Sequence, residues 1–149
     1  NYYGADKPGF IYADTDSIHC DIPVEKVRGI KIHDKDFLCW KVETFWDDAI
    51  FERQKTYIEH VTHEDMKPVE PYYNIKCAGM PKKCKSLFEK SLENYEPTEE
   101  DNFTPDELAV INAKYSIDDF KIGLTIPGKL LPKRIPGGVL LVETTYEMR

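Results

Sequence analysis

The sequence has few of the features that would place it in a membrane or in a secretory pathway. None of its apolar runs approaches the roughly 20 residues of a membrane-spanning helix, and no basic segment followed by an apolar one opens the chain. Its four cysteines form no C-x-x-C pair, which argues against a disulfide scaffold and a cysteine zinc site. No initiator Met is present, so we expect a piece excised from a longer protein. These absences predict a soluble intracellular chain.

The residues that are present are sufficient for a folded domain. Of the 149 residues, 41% are hydrophobic and 12% aromatic, which is enough to build a core. We predict an α+β fold with antiparallel hairpins and a few helices. The clearest helix start is Thr104, a capping residue followed by Pro105 and by Glu107, which completes a capping box. The elements predicted are a loop at 1–9, a hairpin around 13–17, a helix over 35–48, strands at 52–61 and 72–78 separated by a turn at 66–71, helices at 82–92 and from 104, a strand at 120–126, and a hairpin at 136–138.

The net charge of −7 hides an uneven distribution. Residues 89–119 hold ten acidic and two basic side chains, so the rest of the chain is nearly neutral. Residues 76–88 contain four lysines and no acid. The sequence is therefore compatible with a polyanionic partner such as nucleic acid at surfaces outside the acidic segment.

Asp14 and Asp16 are the residues that most clearly indicate chemistry. Two carboxylates one residue apart at a hairpin tip form a dense group of hard oxygen ligands, which suits Mg²⁺ together with substrate phosphates. Three interpretations remain open from these residues alone. In the first, the acids are turn formers in a non-catalytic nucleic-acid-binding module. In the second, they are metal ligands of a nucleotide-sugar glycosyltransferase, and in the third they are metal ligands of a nucleotidyl-transfer site.

Longer strings around and beyond this pair resemble a known family. The segment from Tyr12 to Ser17 resembles the Y-x-D-T-D-S motif of family B DNA polymerases, and the segment from Arg53 to Tyr57 resembles their K-x-Y motif. Residues 75–80 and 136–142 are similar to C-terminal segments of the protein-primed phage polymerases in that family. The four matches occur in the right order and span most of the chain.

The resemblance implies the C-terminal fragment of a DNA-directed DNA polymerase. Residues 1–71 would be the end of the palm, and residues 72–149 would be a thumb-like region with an acidic insertion at 89–119. Asp14 and Asp16 would be catalytic carboxylates that hold two Mg²⁺ or Mn²⁺ ions. The side chains implied to support the hairpin or to contact primer and DNA are Tyr12, Thr15, Ser17, Lys55, Tyr57, Lys76, Lys82, Lys83 and Lys85.

The same resemblance predicts partners and a limit on activity. The parent enzyme would act on primer–template DNA and dNTPs, with a terminal protein as a further primer. It would work in the cytoplasm of a bacterial host of a phage, prophage or plasmid. An upstream palm carboxylate and the fingers motif are not recognisable here. We therefore expect the fragment alone to be inactive.

Overall fold

The computed structural model describes residues 9–149, and its elements confirm the α+β fold. Within that part of the chain, seven strands form three small antiparallel sheets beside two helices. The loop predicted at residues 1–9 lies outside the described residues, apart from Gly9. The elements are β1 (Phe10–Asp14), β2 (Ser17–Cys20), β3 (Thr44–Arg53), β4 (Thr56–Glu64), β5 (Lys67–Cys77), α1 (Lys82–Leu92), α2 (Pro105–Asn112), β6 (Thr125–Ile135) and β7 (Gly138–Glu147).

The three-stranded sheet corrects the prediction of a helix over residues 35–48. Residues 29–43 hold no helix and a single isolated bridge, between Ile32 and Trp40, and β3 begins at Thr44. Strand β3 pairs with β4 along its whole length, with three register shifts. Of the aromatic residues that suggested helical spacing, Phe45 and Trp46 lie on this strand, because pairing between strands outweighs a local pattern.

The turn between β4 and β5 lies earlier than the predicted turn at 66–71. Asp65 and Met66 form it, both with positive φ, as the common two-residue hairpin turns require. Pro68 and Pro71 instead lie within β5. A sheet tolerates them there because β5 is an edge strand, where one side needs no backbone donor.

The helices predicted at 82–92 and from 104 are confirmed. Helix α1 covers residues 82–92 as expected, and its buried side chains follow the helical period. Helix α2 begins after Thr104, whose hydroxyl accepts a hydrogen bond from the Glu107 backbone N–H at 3.3 Å. The Glu107 carboxylate lies 2.7 Å from Lys83 Nζ, so it serves an ion pair and not the expected capping box. Neither of these helices could cross a membrane.

One hydrophobic cluster joins the sheet, the helices and the last hairpin. It includes Ile58 and Ile75 from the sheet, Phe88 from α1, and Ile111 from α2. The acidic segment 89–119 thus contributes side chains to this core. Strand β5 crosses the division predicted between residues 71 and 72, so that boundary does not fall at the end of an element.

The last two strands form the predicted hairpin around Pro136 and Gly137. Gly137 has φ +85°, which suits the third position of a turn that has proline at the second. The strand predicted at 120–126 is placed too early, since β6 begins at Thr125, and Phe120 packs in the core just after a 3₁₀ turn at Ile117–Asp119. The outer part of this ribbon exposes apolar side chains on both strands, namely Leu130, Leu131, Ile135, Val139, Leu140, Leu141 and Val142.

The core makes a direct prediction about stability. Phe88 is fully buried, with its ring centroid 5.7 Å from that of Tyr115 and 6.2 Å from that of Phe120. Phe88→Ala should lower the free energy of unfolding by about 3–5 kcal/mol through the cavity it leaves. Phe37→Ala removes the same atoms from a side chain that is 91% exposed. This control should change the free energy of unfolding by about 0.5 kcal/mol at most. Urea unfolding followed by circular dichroism measures both, and similar values would contradict this core.

Candidate active site

Asp14 and Asp16 lie at the tip of the β1–β2 hairpin. Asp14 pairs with Ser17, so Thr15 and Asp16 form a two-residue turn. Thr15 has φ +50°, which is an unfavourable conformation for a β-branched residue. The Ser17 hydroxyl donates to the Asp14 backbone carbonyl at 3.1 Å and closes the turn. Asp16 is exposed at the tip, whereas the Asp14 side chain is only 14% exposed.

The Asp14 carboxylate is surrounded by donors. Its Oδ1 accepts a hydrogen bond from the Thr15 hydroxyl at 3.1 Å, and its Oδ2 accepts one from the Tyr12 hydroxyl at 3.4 Å. The ammonium groups of Lys55 and Lys76 lie 3.4 and 3.7 Å from the same Oδ2. The Thr15 hydrogen bond lowers the pKa of Asp14 most, and the two lysines lower it further against the opposing effect of burial. Asp14 is therefore held as an anion.

Lys55 reaches Asp14 because two hairpins touch each other. Lys55 lies in the turn between β3 and β4 with φ +58°. Its backbone N–H donates to the Tyr12 hydroxyl oxygen at 3.0 Å. Lys76 comes from β5, where it pairs with Tyr57. The Y-x-D-T-D-S segment at 12–17 and the K-x-Y segment at 53–57 are far apart in the sequence but come into contact at the Asp14 carboxylate.

Aromatic packing around Tyr57 supports the contact between the β1–β2 hairpin and the β3–β4 turn. The Tyr57 ring centroid lies 5.3 Å from that of Phe51, 5.6 Å from that of Tyr12 and 4.9 Å from that of His19. Tyr57 is 8% exposed, and burial, followed by the charge of Glu59, raises its pKa to about 12. Its phenol therefore stays neutral at physiological pH and packs beneath the hairpin. Its contact with primer DNA remains a prediction.

Sequence reasoning missed a buried polar group behind the hairpin. The Glu59 side chain is 1% exposed, and its Oε1 lies 2.5 Å from His19 Nδ1. Its Oε2 accepts a hydrogen bond from the Asn74 side-chain amide at 3.1 Å. The sequence signal is that Glu59 lies two residues from each of the buried Tyr57 and Val61, which places all three on the same face of β4. A charged residue at such a position would be assigned to the surface by default.

The other predicted DNA-binding lysines lie on α1. Lys82 and Lys83 are exposed in its first turn, and Lys85 is half-buried. Lys83 Nζ lies 2.7 Å from Glu107 Oε1 and 3.6 Å from Glu143 Oε1. The hydrogen bond to Glu107, more than the charges around it, raises the pKa of Lys83. Lys83 therefore ties α1 to α2 and β7, in addition to any role at a DNA surface.

The donor set fits part of a Mg²⁺ site. Within residues 9–149 no group of three or more His, Cys, Asp or Glu side chains could hold a metal ion. Asp14 and Asp16 nevertheless supply the hard oxygen ligands that Mg²⁺ prefers, and Mg²⁺ commonly takes one or two carboxylates together with substrate phosphates. A metal ion at these two acids would need further oxygen ligands to complete the site.

Comparison with known proteins connects this chain to phage DNA polymerases. It is 31% identical to the DNA polymerase of Streptococcus phage Cp-1 over 140 residues, which covers 94% of this chain and 19% of that polymerase. It is also 31% identical to the DNA polymerase of Bacillus phage phi29 over 152 residues, covering 93% of this chain and 21% of that polymerase. The chain thus spans about a fifth of the length of these curated relatives. No protein-family model matches it.

Solved structures give the same result. The phi29 DNA polymerase in an orthorhombic crystal form matches with a TM-score of 0.62 and 26% identity, over 94% of this chain and 22% of that one. A phi29 DNA polymerase complexed with primer–template DNA matches with a TM-score of 0.61, at the same identity and the same coverage. The predicted resemblance to phage DNA polymerases is confirmed in both sequence and fold.

The contacts of Asp14 predict how its pKa responds to substitution. Thr15→Val removes the largest cause of the lowered pKa and should raise it more than Lys76→Ala does. Because the folded-state pKa lies below the ordinary value of 3.8, these contacts stabilise the fold above that pH. Their contribution is lost as the pH falls through the folded-state pKa.

Carboxyl ¹³C NMR titration of Asp14 measures the shift. Thr62→Val is a matched control, because the Thr62 hydroxyl donates to the Phe45 carbonyl and not to Asp14. An Asp14 pKa that is the same in Thr15→Val and in the unaltered chain would contradict the described hydrogen bond.

Proposed function

We propose that this chain is part of a template-directed DNA polymerase, with the end of the palm at 1–71 and part of the thumb at 72–149. The observation that carries the proposal is the contact between Lys55 of the K-x-Y segment and Asp14 of the D-T-D hairpin, at 3.4 Å. The similarity to phage DNA polymerases favours this function over a glycosyltransferase or a non-catalytic module. The reaction is transfer of a nucleotide from a dNTP to a primer 3′-hydroxyl.

Asp14 and Asp16 would hold the Mg²⁺ or Mn²⁺ ions of this reaction. When bound, the metal neutralises charge on the triphosphate and lowers the pKa of the attacking hydroxyl. The chain contributes rigidity and orientation, because Thr15 and Tyr12 fix the Asp14 side chain while Asp16 stays open to substrate. The remaining ligands must come from substrate and from other parts of the polymerase. The 149-residue chain alone is therefore inactive in this proposal.

Lys55 and Lys76 would let a polyanionic substrate approach this carboxylate. Their ammonium groups place positive charge beside Asp14, and without it the carboxylate would repel a phosphate. We assign Lys55 to the phosphate near the primer terminus and Tyr57 to the packing that supports the Lys55 turn. Ser17 and Thr15 serve the hairpin that presents the acids.

Lys82 and Lys85 would contact the phosphates of the duplex from the thumb side. Solved structures of phi29 DNA polymerase include complexes with primer–template DNA and with incoming nucleotide substrates, so we propose the same partners for the polymerase that carries this segment. A terminal protein as primer, and action inside a bacterial host, belong to the same proposal.

Substitution of the acids tests the chemistry. In the full-length polymerase that contains this segment, Asp14→Asn or Asp16→Asn should lower nucleotide incorporation by about 10³-fold, because metal stabilisation of the transition state is worth several kcal/mol. DNA affinity should change little, since it depends on cationic side chains. Primer extension and DNA-binding titrations measure the two effects. Asp21→Asn, at an exposed position just after β2, is the control, and full incorporation by both acid variants would reject the assignment.

The lysines of α1 allow a second test in the same polymerase. Lys82→Ala should weaken duplex binding and reduce the salt dependence of log K by about one unit of slope. Lys83→Ala is the matched comparison, because Glu107 and Glu143 already hold the ammonium of Lys83, and it should change that slope less. Fluorescence anisotropy over a salt series decides between them. A larger change of slope for Lys83→Ala than for Lys82→Ala would place the duplex on the Lys83 side of α1.

A further inference from the structure

A carboxylate is buried where the catalytic hairpin meets the three-stranded sheet. Glu59 lies on β4, the central strand of that sheet, with a side chain that is 1% exposed. We assign His19 Nδ1 as the donor and Glu59 Oε1 as the acceptor of the hydrogen bond that joins them at 2.5 Å. The second donor is the Asn74 amide on β5. One donor therefore comes from the hairpin and one from the sheet.

His19 connects this carboxylate to the D-T-D site through the hairpin. It pairs with Tyr12 across β1 and β2, and the two ring centroids are 5.4 Å apart. Tyr12 in turn donates to Asp14 and accepts from the Lys55 backbone N–H. A short chain of contacts thus runs from Glu59 to the carboxylate proposed to hold metal.

The chemistry of this link favours a positioning role over simple stabilisation. A buried polar contact contributes little net stability compared with apolar residues of similar volume, whereas it demands specific hydrogen-bond partners in specific places. The ring centroids of Phe51 and Tyr57 lie 5.4 and 4.9 Å from that of His19, and such contacts fix a position less tightly than a hydrogen bond does. The His19–Glu59 bond is directional and can fix the hairpin in one place on the sheet.

We infer that Glu59 and His19 are positioning residues that set the D-T-D hairpin on the sheet and so align Asp14 with Lys55. The catalytic consequence of this inference rests on the proposed function, whereas the structural consequence does not. Neither side chain touches the reacting atoms in this assignment. Their effect reaches Asp14 through Tyr12.

The chain contains a matched pair for comparison. His60, the next residue on β4, has its Nδ1 2.6 Å from Asp47 Oδ1, and the Asp47 side chain is 59% exposed. His60 packs on Tyr73, with ring centroids 4.9 Å apart, on the opposite face of the strand from Glu59. The His60–Asp47 pair has the same chemistry without a connection to the hairpin.

The first experiment uses the 149-residue chain and amide ¹H–¹⁵N NMR spectra. Glu59→Leu should shift the resonances of Thr15 and Asp16, because the hairpin loses its directional bond. Glu59→Gln should restore them towards their original positions, since Gln can accept from His19 while the Asn74 amide rotates to accept from Gln. His60→Leu should leave Thr15 and Asp16 unchanged. His19→Phe keeps a ring and removes the donor, so it provides the same test if Glu59→Leu fails to fold.

The second experiment measures catalysis in the full-length polymerase. Glu59→Leu should lower kcat per titrated active site by about 10-fold to 100-fold, as expected for a small misplacement of a catalytic group. It should also raise the Mg²⁺ concentration for half-maximal activity, with the KM for DNA nearly unchanged. Glu59→Gln should recover most of kcat. The double variant with His19→Phe should be no worse than Glu59→Leu alone, because both changes break the same bond.

The outcomes separate this inference from the proposed function. Unshifted Thr15 and Asp16 resonances in both Glu59→Leu and His19→Phe would overturn the positioning role. An unchanged kcat per active site and an unchanged Mg²⁺ requirement would overturn it as well. If the hairpin resonances shift while Asp14→Asn retains full incorporation, the positioning role stands and the assignment of Asp14 to catalysis fails.

Discussion

The arrangement of this molecule depends on the need to satisfy one buried carboxylate. Burying a polar group without partners is costly, so the 1% exposed side chain of Glu59 needs both of its hydrogen-bond partners. These partners belong to different sheets, so meeting the requirement also brings the β1–β2 hairpin onto β4 and β5. Once the hairpin is there, Asp14 comes within reach of Lys55 from the β3–β4 turn and Lys76 from β5, both remote in sequence. A single local electrostatic requirement thereby assembles a site from three segments of the chain.

The elements that could be predicted from sequence are those with strong local signals. Helix α1 has an apolar face at helical spacing, α2 has a capping threonine followed by proline, and the last hairpin has Pro136 and Gly137 at its turn. Each signal acts within a few residues. Strand β3 could not be predicted this way, because its extended conformation depends on pairing with β4. The spacing of its own aromatic and charged residues instead suggests a helix.

The same limit applies to the site. Asp14, Asp16 and Lys55 were predicted because each lies in a short motif, and the structure brings Asp14 and Lys55 together. The bond between His19 and Glu59 joins residues 40 positions apart, and no local pattern marks it. Charge contacts between remote segments are equally hidden, because the sequence suggests that the acidic segment 89–119 and the lysine-rich segment 76–88 form separate surfaces. In the fold Glu107 and Lys83 form one ion pair, which holds α1 and α2 together.

The β6–β7 ribbon gives the molecule an uneven mechanical character. Near its base, Ile126 and Tyr146 are anchored in the core, whereas the side chains around its turn are held by little except the partner strand. A two-stranded ribbon without further packing is only marginally stable in water. Local opening should therefore begin at the turn and cost progressively more free energy towards the base. The outer part of the ribbon can therefore open while Ile126 and Tyr146 keep its base packed in the core.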